Sequence, residues 1–358
     1  MQPTEQSRPT PDPGAPLLGA VAIGRNEGER LVRCLESLAA QGLAAIYVDS
    51  GSSDGSRERA RALGAEVVEL DLDAPFTAAR ARNAGFRRLI ELRPGLAFVQ
   101  FVDGDCELER GWVDAALAAM ARAPDAAVVC GRRAERHPER SVYNRLCDLE
   151  WDTPVGEAEA SGGDALMRRG PFEKSGGFDD SLIAGEEPEL CFRLRRAGGR
   201  VLRIDAPMTR HDAAMTHFGQ WWRRTRRSGH AAAELWHQHG YRGVRGLTRI
   251  AASALFWTCL VPVLVVGGAW LGVAFVGPVG LALGPVLALA ALARLVWKVR
   301  HHRIARGAEP RAATLYGVFC AVGKLPEAMG VAQYWLARVR GQRTRLIEYK
   351  GAGSAEAR

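Results

Sequence analysis

A run of 44 residues without a charged side chain, positions 250–293, is the feature that most constrains how this chain can fold. One crossing of a lipid bilayer takes about 20 apolar residues, so the run is long enough for two crossings. A Gly-Pro-Val-Gly segment at 277–280 is typical of a tight turn. The sequence therefore predicts two transmembrane helices, near 250–271 and 280–299, with a buried helical hairpin in a soluble protein as the alternative.

Basic residues flank this run on both sides. Because positive charge next to a membrane segment stays in the cytoplasm, both ends of the run are expected on the cytoplasmic face of the inner membrane, together with the two termini. The net charge of +8 and the pI of about 9.4 are thereby attributed to membrane lipids rather than to nucleic acid. The flanking residues are Arg242, Arg245 and Arg249 before the run and Arg294, Lys298, Arg300, Arg303 and Arg306 after it.

Short apolar runs alternate with helical patterns in the first part of the chain. The runs at 17–23, 44–48, 66–70 and 98–103 are typical of buried strands. Segments between and after them have apolar residues at helical spacing. Strands that alternate with helices in this way predict an α/β domain, with a mostly parallel sheet covered by helices on both faces. The expected helices cover 29–40, the segment that ends at 63, 76–92 and 112–122.

Polar residues follow three of these strands, and the carboxyl ends of parallel strands lie along one edge of a sheet. They are Arg25 to Glu27 after the first strand, Asp49 and Asp54 after the second, and Asp103 and Asp105 after the fourth. Asp54 is also a candidate cap for the next helix. Two carboxylates one residue apart, as in Asp103-Gly104-Asp105, can hold a hard divalent cation, with an acidic surface turn as the alternative.

The order and spacing of these segments resemble glycosyltransferase family 2 enzymes with the GT-A fold, over residues 17–215. The segments that carry the resemblance are Ala22 to Glu27, Asp49 to Gly55, Arg82 to Gly85, Asp103 to Asp105, Gly162-Gly163, Gly177 to Asp179 and Gly185 to Glu187.

The resemblance implies a site for a nucleoside diphosphate sugar and for Mg²⁺ or Mn²⁺. Asp49 would accept a hydrogen bond from the base, Asp103 would lie near the ribose, and Asp105 would bind the metal. Asp103 and His211 are the other candidate metal ligands. The residues expected to bind the nucleotide are Arg25, Asn26, Glu27, Asp49, Asp54, Arg82, Asn83 and Asp103.

The same resemblance assigns the acceptor side and the catalytic base. Gly162, Gly163 and Asp164 are expected near the acceptor or sugar, with an ordinary β-turn as the alternative for the glycines. The base is expected at Glu187, with Glu186 open as the alternative. Successive helical positions differ by about 100°, so these two side chains are expected to point apart. Glu189 is expected to be a solvated residue of the first helical turn.

The remaining chain is assigned by composition. Residues 1–16, which are polar and proline-rich, are expected to form a disordered tail. Residues 216–248 have a basic, tryptophan-rich helical pattern typical of a helix at a membrane surface. Residues 249–299 hold the two transmembrane helices, and 300–358 are expected to form a cytoplasmic or interfacial segment. Seven single cysteines without zinc or redox spacing indicate reduced thiols in the cytosol.

These features predict an inverting glycosyltransferase that moves a sugar from a nucleoside diphosphate sugar to a lipid-linked or saccharide acceptor at the cytoplasmic membrane face. Polysaccharide or glycolipid synthesis is the expected context. The alternatives are a metal-dependent nucleotidyltransferase and a non-catalytic membrane scaffold with the same fold. Inversion is implied by the family resemblance.

Overall fold

The computed structural model describes residues 18–71, 73, 76–241 and 243–342. The expected tail at 1–16 and the end of the predicted segment at 300–358 lie outside them. The strands are β1 (Leu18–Gly24), β2 (Ala44–Asp49), β3 (Glu66–Glu69), β4 (Phe98–Asp103), β5 (Cys106–Leu108), β6 (Ala126–Glu135), β7 (Gly156–Glu157), β8 (Ala165–Arg168) and β9 (Arg200–His211).

In the described part of the chain, seven α-helices lie between the strands before β9, and five follow β9 in succession. They are α1 (Glu29–Ala39), α2 (Ser56–Ala62), α3 (Ala78–Leu92), α4 (Trp112–Arg122), α5 (Val142–Trp151), α6 (Arg169–Lys174), α7 (Glu186–Arg196), α8 (Phe218–His239), α9 (Arg245–Val276), α10 (Leu283–Ile304), α11 (Pro310–Val322) and α12 (Lys324–Val339). A short 3₁₀ helix, Pro278–Ala282, joins α9 to α10.

One mixed sheet of nine strands forms the centre, in the order β3-β2-β1-β4-β8-β6-β9-β5, with β7 paired to β9. The predicted α/β class is confirmed. The predicted parallel pairing holds from β3 to β4, whereas β8 lies antiparallel between β4 and β6. The pattern of short apolar runs identifies strands but carries no information on the direction in which β8 enters the sheet.

Helices cover both faces of the sheet. Successive residues of a strand point to opposite faces. In β1, Val21 faces α3 so closely that a Cβ atom on Gly85 would lie 2.4 Å from its Cγ1. Ala20 and Ala22, on the other face, are also fully buried. The close approach at Gly85 sets the height of α3 above the sheet, and Arg82 lies one turn earlier on that helix.

The strand ends meet at one edge, as the sequence predicted. Gly24 at the end of β1 is in register with Asp49 of β2, and Ile23 is in register with Asp103 of β4. The loops after these strands therefore lie side by side. β5 and β9 extend the edge, because their antiparallel pairing sets Cys106 opposite His211.

Two helices, Arg245–Val276 and Pro278–Ile304, are long and apolar enough to cross a membrane. They pack through small residues, since a Cβ atom on Gly272 would lie 2.0 Å from the carbonyl oxygen of Gly280. Such close contacts between small residues are common where membrane helices pair. Large apolar side chains such as Trp270 and Phe275 point outward and are 71% and 83% exposed.

The other helices of the C-terminal half form a layer beside this hairpin. The predicted membrane-surface helix is α8, which ends at His239 and packs against α9 and α12. The segment after the hairpin, which was expected to be cytoplasmic or interfacial, forms two helices, α11 and α12. Val318, Val322 and Leu325 at their junction are exposed. The interfacial placement of α8, α11 and α12 stays a prediction.

Candidate active site

A cavity of about 490 Å³ opens at the edge where the strands end. Its walls come from the loop after β1, the end of β4, residues 161–163, the first turn of α7, and α8. Nine of the residues that the sequence singled out line it: Arg25, Glu27, Arg82, Asp103, Asp105, Gly162, Gly163, Glu186 and Glu187.

Arg82 joins three carboxylates in the wall of this cavity. Its side chain is only 2% exposed, and Nη2 lies 2.8 Å from Asp103 Oδ1. Nη1 lies 2.9 Å from Glu186 Oε1 and 3.1 Å from Glu187 Oε1. Burial acts to lower the pKa of Arg82, but the three carboxylates outweigh it and raise the pKa. Arg82 therefore joins the end of β4 to the first turn of α7 as a permanent cation.

Glu186 and Glu187 both reach Arg82, so the expectation that they point apart is wrong. Their Cα–Cβ bonds do diverge, but three side-chain torsions let each carboxylate bend to the same nitrogen. Glu187 is the more open of the two, with 16% of its side chain exposed against 5% for Glu186. Burial and the Glu186 charge raise the pKa of Glu187 to about 7, although Arg82 opposes the shift.

Asp105 and His211 form a second, deeper pair. Asp105 Oδ2 lies 3.1 Å from His211 Nε2, and both side chains are almost fully buried. His211 Nδ1 is also buried, without a hydrogen-bond partner in the part of the chain that is described. Carboxylate oxygen is a ligand for Mg²⁺ and Mn²⁺, and imidazole is the commonest metal ligand in proteins. The donor set fits a divalent cation.

Asp103 and Asp164 lie next to each other at the end of β4. Asp103 uses its carboxylate for Arg82, at the cavity wall. Asp164 is fully buried, and its Oδ1 accepts from the Asp103 backbone nitrogen at 3.0 Å. Its Oδ2 lies 2.8 Å from Arg133 and accepts from the Thr209 hydroxyl at 2.7 Å. The structure thus places Asp164 beneath Asp103 rather than on the acceptor surface predicted for it.

Position 163 requires glycine, because the ion pair between Arg82 and Asp103 lies directly against it. A Cβ atom there would lie 2.5 Å from Asp103 Oδ2 and 2.7 Å from Arg82 Nη2. A side chain at this position would therefore push the pair apart. At Gly162 the nearest atoms to such a Cβ belong to Arg133, at 3.6 Å, which is ordinary contact.

Two predicted nucleotide-binding residues hold the loop after β2, and Asn26 links it to the loop after β1. Asp49 is 1% exposed and accepts hydrogen bonds from the Tyr47 hydroxyl at 3.0 Å and from the Ser52 backbone nitrogen at 2.8 Å. Asn26 has a φ of 56°, and its side-chain oxygen accepts from the Ser53 backbone nitrogen at 2.8 Å. Nucleotide contact by either residue stays a prediction.

Two further candidates hold turns. The N-cap residue of α2 is Gly55, not Asp54, although Asp54 accepts a hydrogen bond from the Ser56 backbone nitrogen at 3.0 Å. Asn83 donates to the Phe178 carbonyl oxygen at 2.8 Å and so fixes the turn before α7. Neither lines the cavity as bounded by the described residues.

The sequence did not identify part of the cavity wall. Glu150 on α5 and Arg224 on α8 line it and form a paired contact at 2.8 and 3.0 Å. Arg227 also lines it and donates to the Ile183 carbonyl oxygen at 2.7 Å. These arginines were assigned to the membrane surface. The spacing of α8 shows a basic face, but only the fold shows that this face closes the cavity.

The glycosyl transferase family 2 model matches residues 22–175, from within β1 to the end of α6. This part of the chain belongs to glycosyltransferase family 2. The match contains Arg82, Asp103 and Asp105, while Glu187 and His211 lie beyond its end.

Two curated relatives of the family match with moderate identity. The pre-mycofactocin glycosyltransferase of Mycobacterium tuberculosis is 28% identical over 65% of this chain and 50% of its own length. The succinoglycan biosynthesis protein ExoA of Rhizobium meliloti is 31% identical over 45% of this chain and 51% of its own. The chain thus spans about half the length of these relatives.

Among solved structures, the mannosyltransferase PcManGT from Pyrobaculum calidifontis has a similar fold. The TM-score is 0.54 at 17% identity, and the match covers 90% of this chain and 89% of the other. That structure contains GDP-Man and Mn²⁺. At this identity the likeness shows the fold alone.

Glu189 differs from its expected role as a solvated residue. It is 3% exposed, lies 2.6 Å from Arg193 Nη2, and lies 3.1 Å from His239 Nε2 of α8. The helical position alone suggested solvent, because the sequence does not show that α8 covers this turn. Glu189 therefore links α7 to α8.

Glu189→Gln is expected to lower the free energy of unfolding by about 1–3 kcal/mol, because a buried charged hydrogen-bond partner is lost. Chemical denaturation of the purified protein measures it. Glu173→Gln is the matched control, since its ion pair with Arg169 is 38% exposed on the glutamate side and should contribute little. Equal losses for the two variants would contradict the structural role of Glu189.

Proposed function

We propose that this chain is a metal-dependent, inverting glycosyltransferase that moves a sugar from a nucleoside diphosphate sugar to an acceptor hydroxyl at the cytoplasmic membrane face. The observation that supports it most is the convergence of Asp103, Asp105 and Glu187 on one cavity around Arg82. Family membership supports glycosyl transfer, and the resemblance to the family supports inversion.

The residues have separate tasks in this proposal. The acceptor oxygen attacks the sugar carbon, the bond from that carbon to the diphosphate breaks, and Glu187 takes the acceptor proton. A pKa near 7 suits Glu187 to that task at neutral pH. Asp105 and His211 would hold Mn²⁺ or Mg²⁺. When bound, such an ion neutralises charge on the departing diphosphate as a Lewis acid.

The far wall of the cavity suggests where the acceptor comes from. It includes Ala231 of α8 and Leu247 in the first turn of α9. The same helix continues as the first of the two apolar helices. An acceptor carried on a membrane lipid, or a saccharide growing at the membrane, would meet the cavity from this side. Polysaccharide or glycolipid synthesis fits that placement.

A donor screen with the purified protein in detergent and Mn²⁺ tests the proposal. Release of a nucleoside diphosphate, in amounts equal to the sugar transferred, is the expected result. Pyrophosphate release instead would indicate a nucleotidyltransferase, and no turnover with any donor would indicate a scaffold.

The metal site is tested with the same assay. Excess chelator removes the metal from Asp105, and Asp105→Ala removes the metal-binding carboxylate itself. Each should therefore abolish turnover. The circular dichroism spectrum of the variant should match that of the wild-type protein. Turnover that survives chelation and the substitution would contradict metal dependence.

Glu187→Gln keeps the side-chain shape but cannot take a proton at neutral pH. Turnover should fall by about a hundredfold or more, the scale of general-base catalysis, while donor binding measured by calorimetry stays near the wild-type value. Glu186→Gln is the matched comparison on the same arginine. If only Glu186→Gln loses turnover, the catalytic base is Glu186. If both variants keep near-normal turnover, the base does not lie on α7.

The proposed topology places the sheet and the helices after α10 in the cytoplasm. Single cysteines at exposed positions test it with a membrane-impermeant maleimide on intact cells. Val279→Cys, 83% exposed between the two apolar helices, should label from outside. Arg110→Cys and Arg340→Cys should label only after the cells are opened. Outside labelling of either arginine position would refute this topology.

A further inference from the structure

The last turn of α5 is held by Arg303, near the end of α10, and by Arg306, which follows that helix. An α-helix leaves its last carbonyl groups without partners inside the helix. Arg303 Nη1 donates to the carbonyl oxygen of Leu149, and Arg306 Nη2 donates to that of Asp152 at 2.7 Å. Cations at a helix C-terminus also interact favourably with the helix dipole. Part of the apolar hairpin thus caps a helix of the glycosyltransferase domain.

Arg303 is itself well fixed. Its guanidinium carbon lies 4.1 Å from the centre of the Tyr316 ring on α11. A cation over an aromatic ring is attracted by the ring's electrons. The guanidinium is therefore held between α11 on one side and the end of α5 on the other, and its position depends on how α10 and α11 pack.

The capped turn carries two side chains that reach the active site. The Trp151 ring meets the His211 imidazole edge to face, with centroids 4.6 Å apart and an interplanar angle of 79°. Glu150 lines the cavity and pairs with Arg224. The Glu150 side chain is 46% exposed, and the nearby guanidinium groups of Arg224 and Arg303 lower its pKa. Glu150 therefore stays charged.

We propose that Arg303 and Arg306 are positioning residues that couple the packing of the apolar hairpin to the metal end of the cavity. By capping α5 they keep the Trp151 ring against His211. The inference rests on the proposed function, in which Asp105 and His211 hold the metal. Groups that orient a metal ligand typically change metal affinity 10–100-fold when they are removed.

The test uses the full-length protein in detergent and Mn²⁺ alone as the probe. The variant Arg303→Gln with Arg306→Gln removes both donors. Arg300→Gln is the control, because it removes a charge from the same helix while its nitrogen bonds only the Thr314 hydroxyl in the described contacts. Hydrogen–deuterium exchange of α5 reports the cap, and the electron paramagnetic resonance signal of free Mn²⁺ reports metal binding.

The double variant should exchange faster at the end of α5 and bind Mn²⁺ about tenfold more weakly, while Arg300→Gln should match the wild-type protein in both. Trp151→Leu, which leaves the cap in place, should weaken Mn²⁺ binding to a similar degree with unchanged exchange in α5. It also serves as the decisive variant if the double variant does not fold.

Unchanged exchange in the double variant would overturn the cap. Faster exchange with wild-type Mn²⁺ affinity, or wild-type affinity in Trp151→Leu, would overturn the coupling. A failure of the proposed function has a different signature, since the wild-type protein itself would then bind no Mn²⁺ and turn over no donor. Failure of the coupling alone leaves both properties of the wild-type protein intact.

Discussion

The buried guanidinium of Arg82 is the interaction on which the rest of the site depends. It brings the carboxylate that ends β4 and two carboxylates that begin α7 to one point. Three carboxylates at this distance would repel one another, and a buried cation offsets that repulsion. The height of α3 above β1, set at Gly85, decides where this cation lies. Gly163 leaves room for the pair that it forms with Asp103.

Much of this arrangement could be predicted from the sequence, because it depends on local patterns. The alternation of strands and helices gave the α/β class, and the polar residues after β1, β2 and β4 identified the edge of the sheet where the cavity opens. Asp103, Asp105 and Glu187 were identified by their motifs. Motifs, however, do not distinguish a residue on the cavity wall from one that holds the loop behind it, as Asp49, Asn83 and Asp164 do.

The parts that the sequence did not predict depend on long-range packing. β6 and α5 supply Arg133, Glu150 and Trp151, whose positions follow from the way the chain returns to the sheet. The basic face of α8 suggested a membrane surface, yet Arg224 and Arg227 of that face close the cavity. Glu189 was expected in solvent because its burial by α8 depends on residues about 50 positions away, at His239. Each of these features arises from a contact between distant segments.

The pH dependence of turnover, measured in the wild-type protein and in Glu186→Gln, tests the central claim most directly. Glu187 must be ionised to take a proton, so wild-type turnover should rise as the pH increases through about 7. The Glu186 charge raises the pKa of Glu187, and Glu186→Gln removes that charge. The substitution also leaves the Arg82 guanidinium more fully paired with Glu187. Both effects lower the pKa of Glu187, so the rise in turnover should move to lower pH in the variant. A rise that stays in place, or moves to higher pH, would contradict the role given to Arg82 and its glutamates.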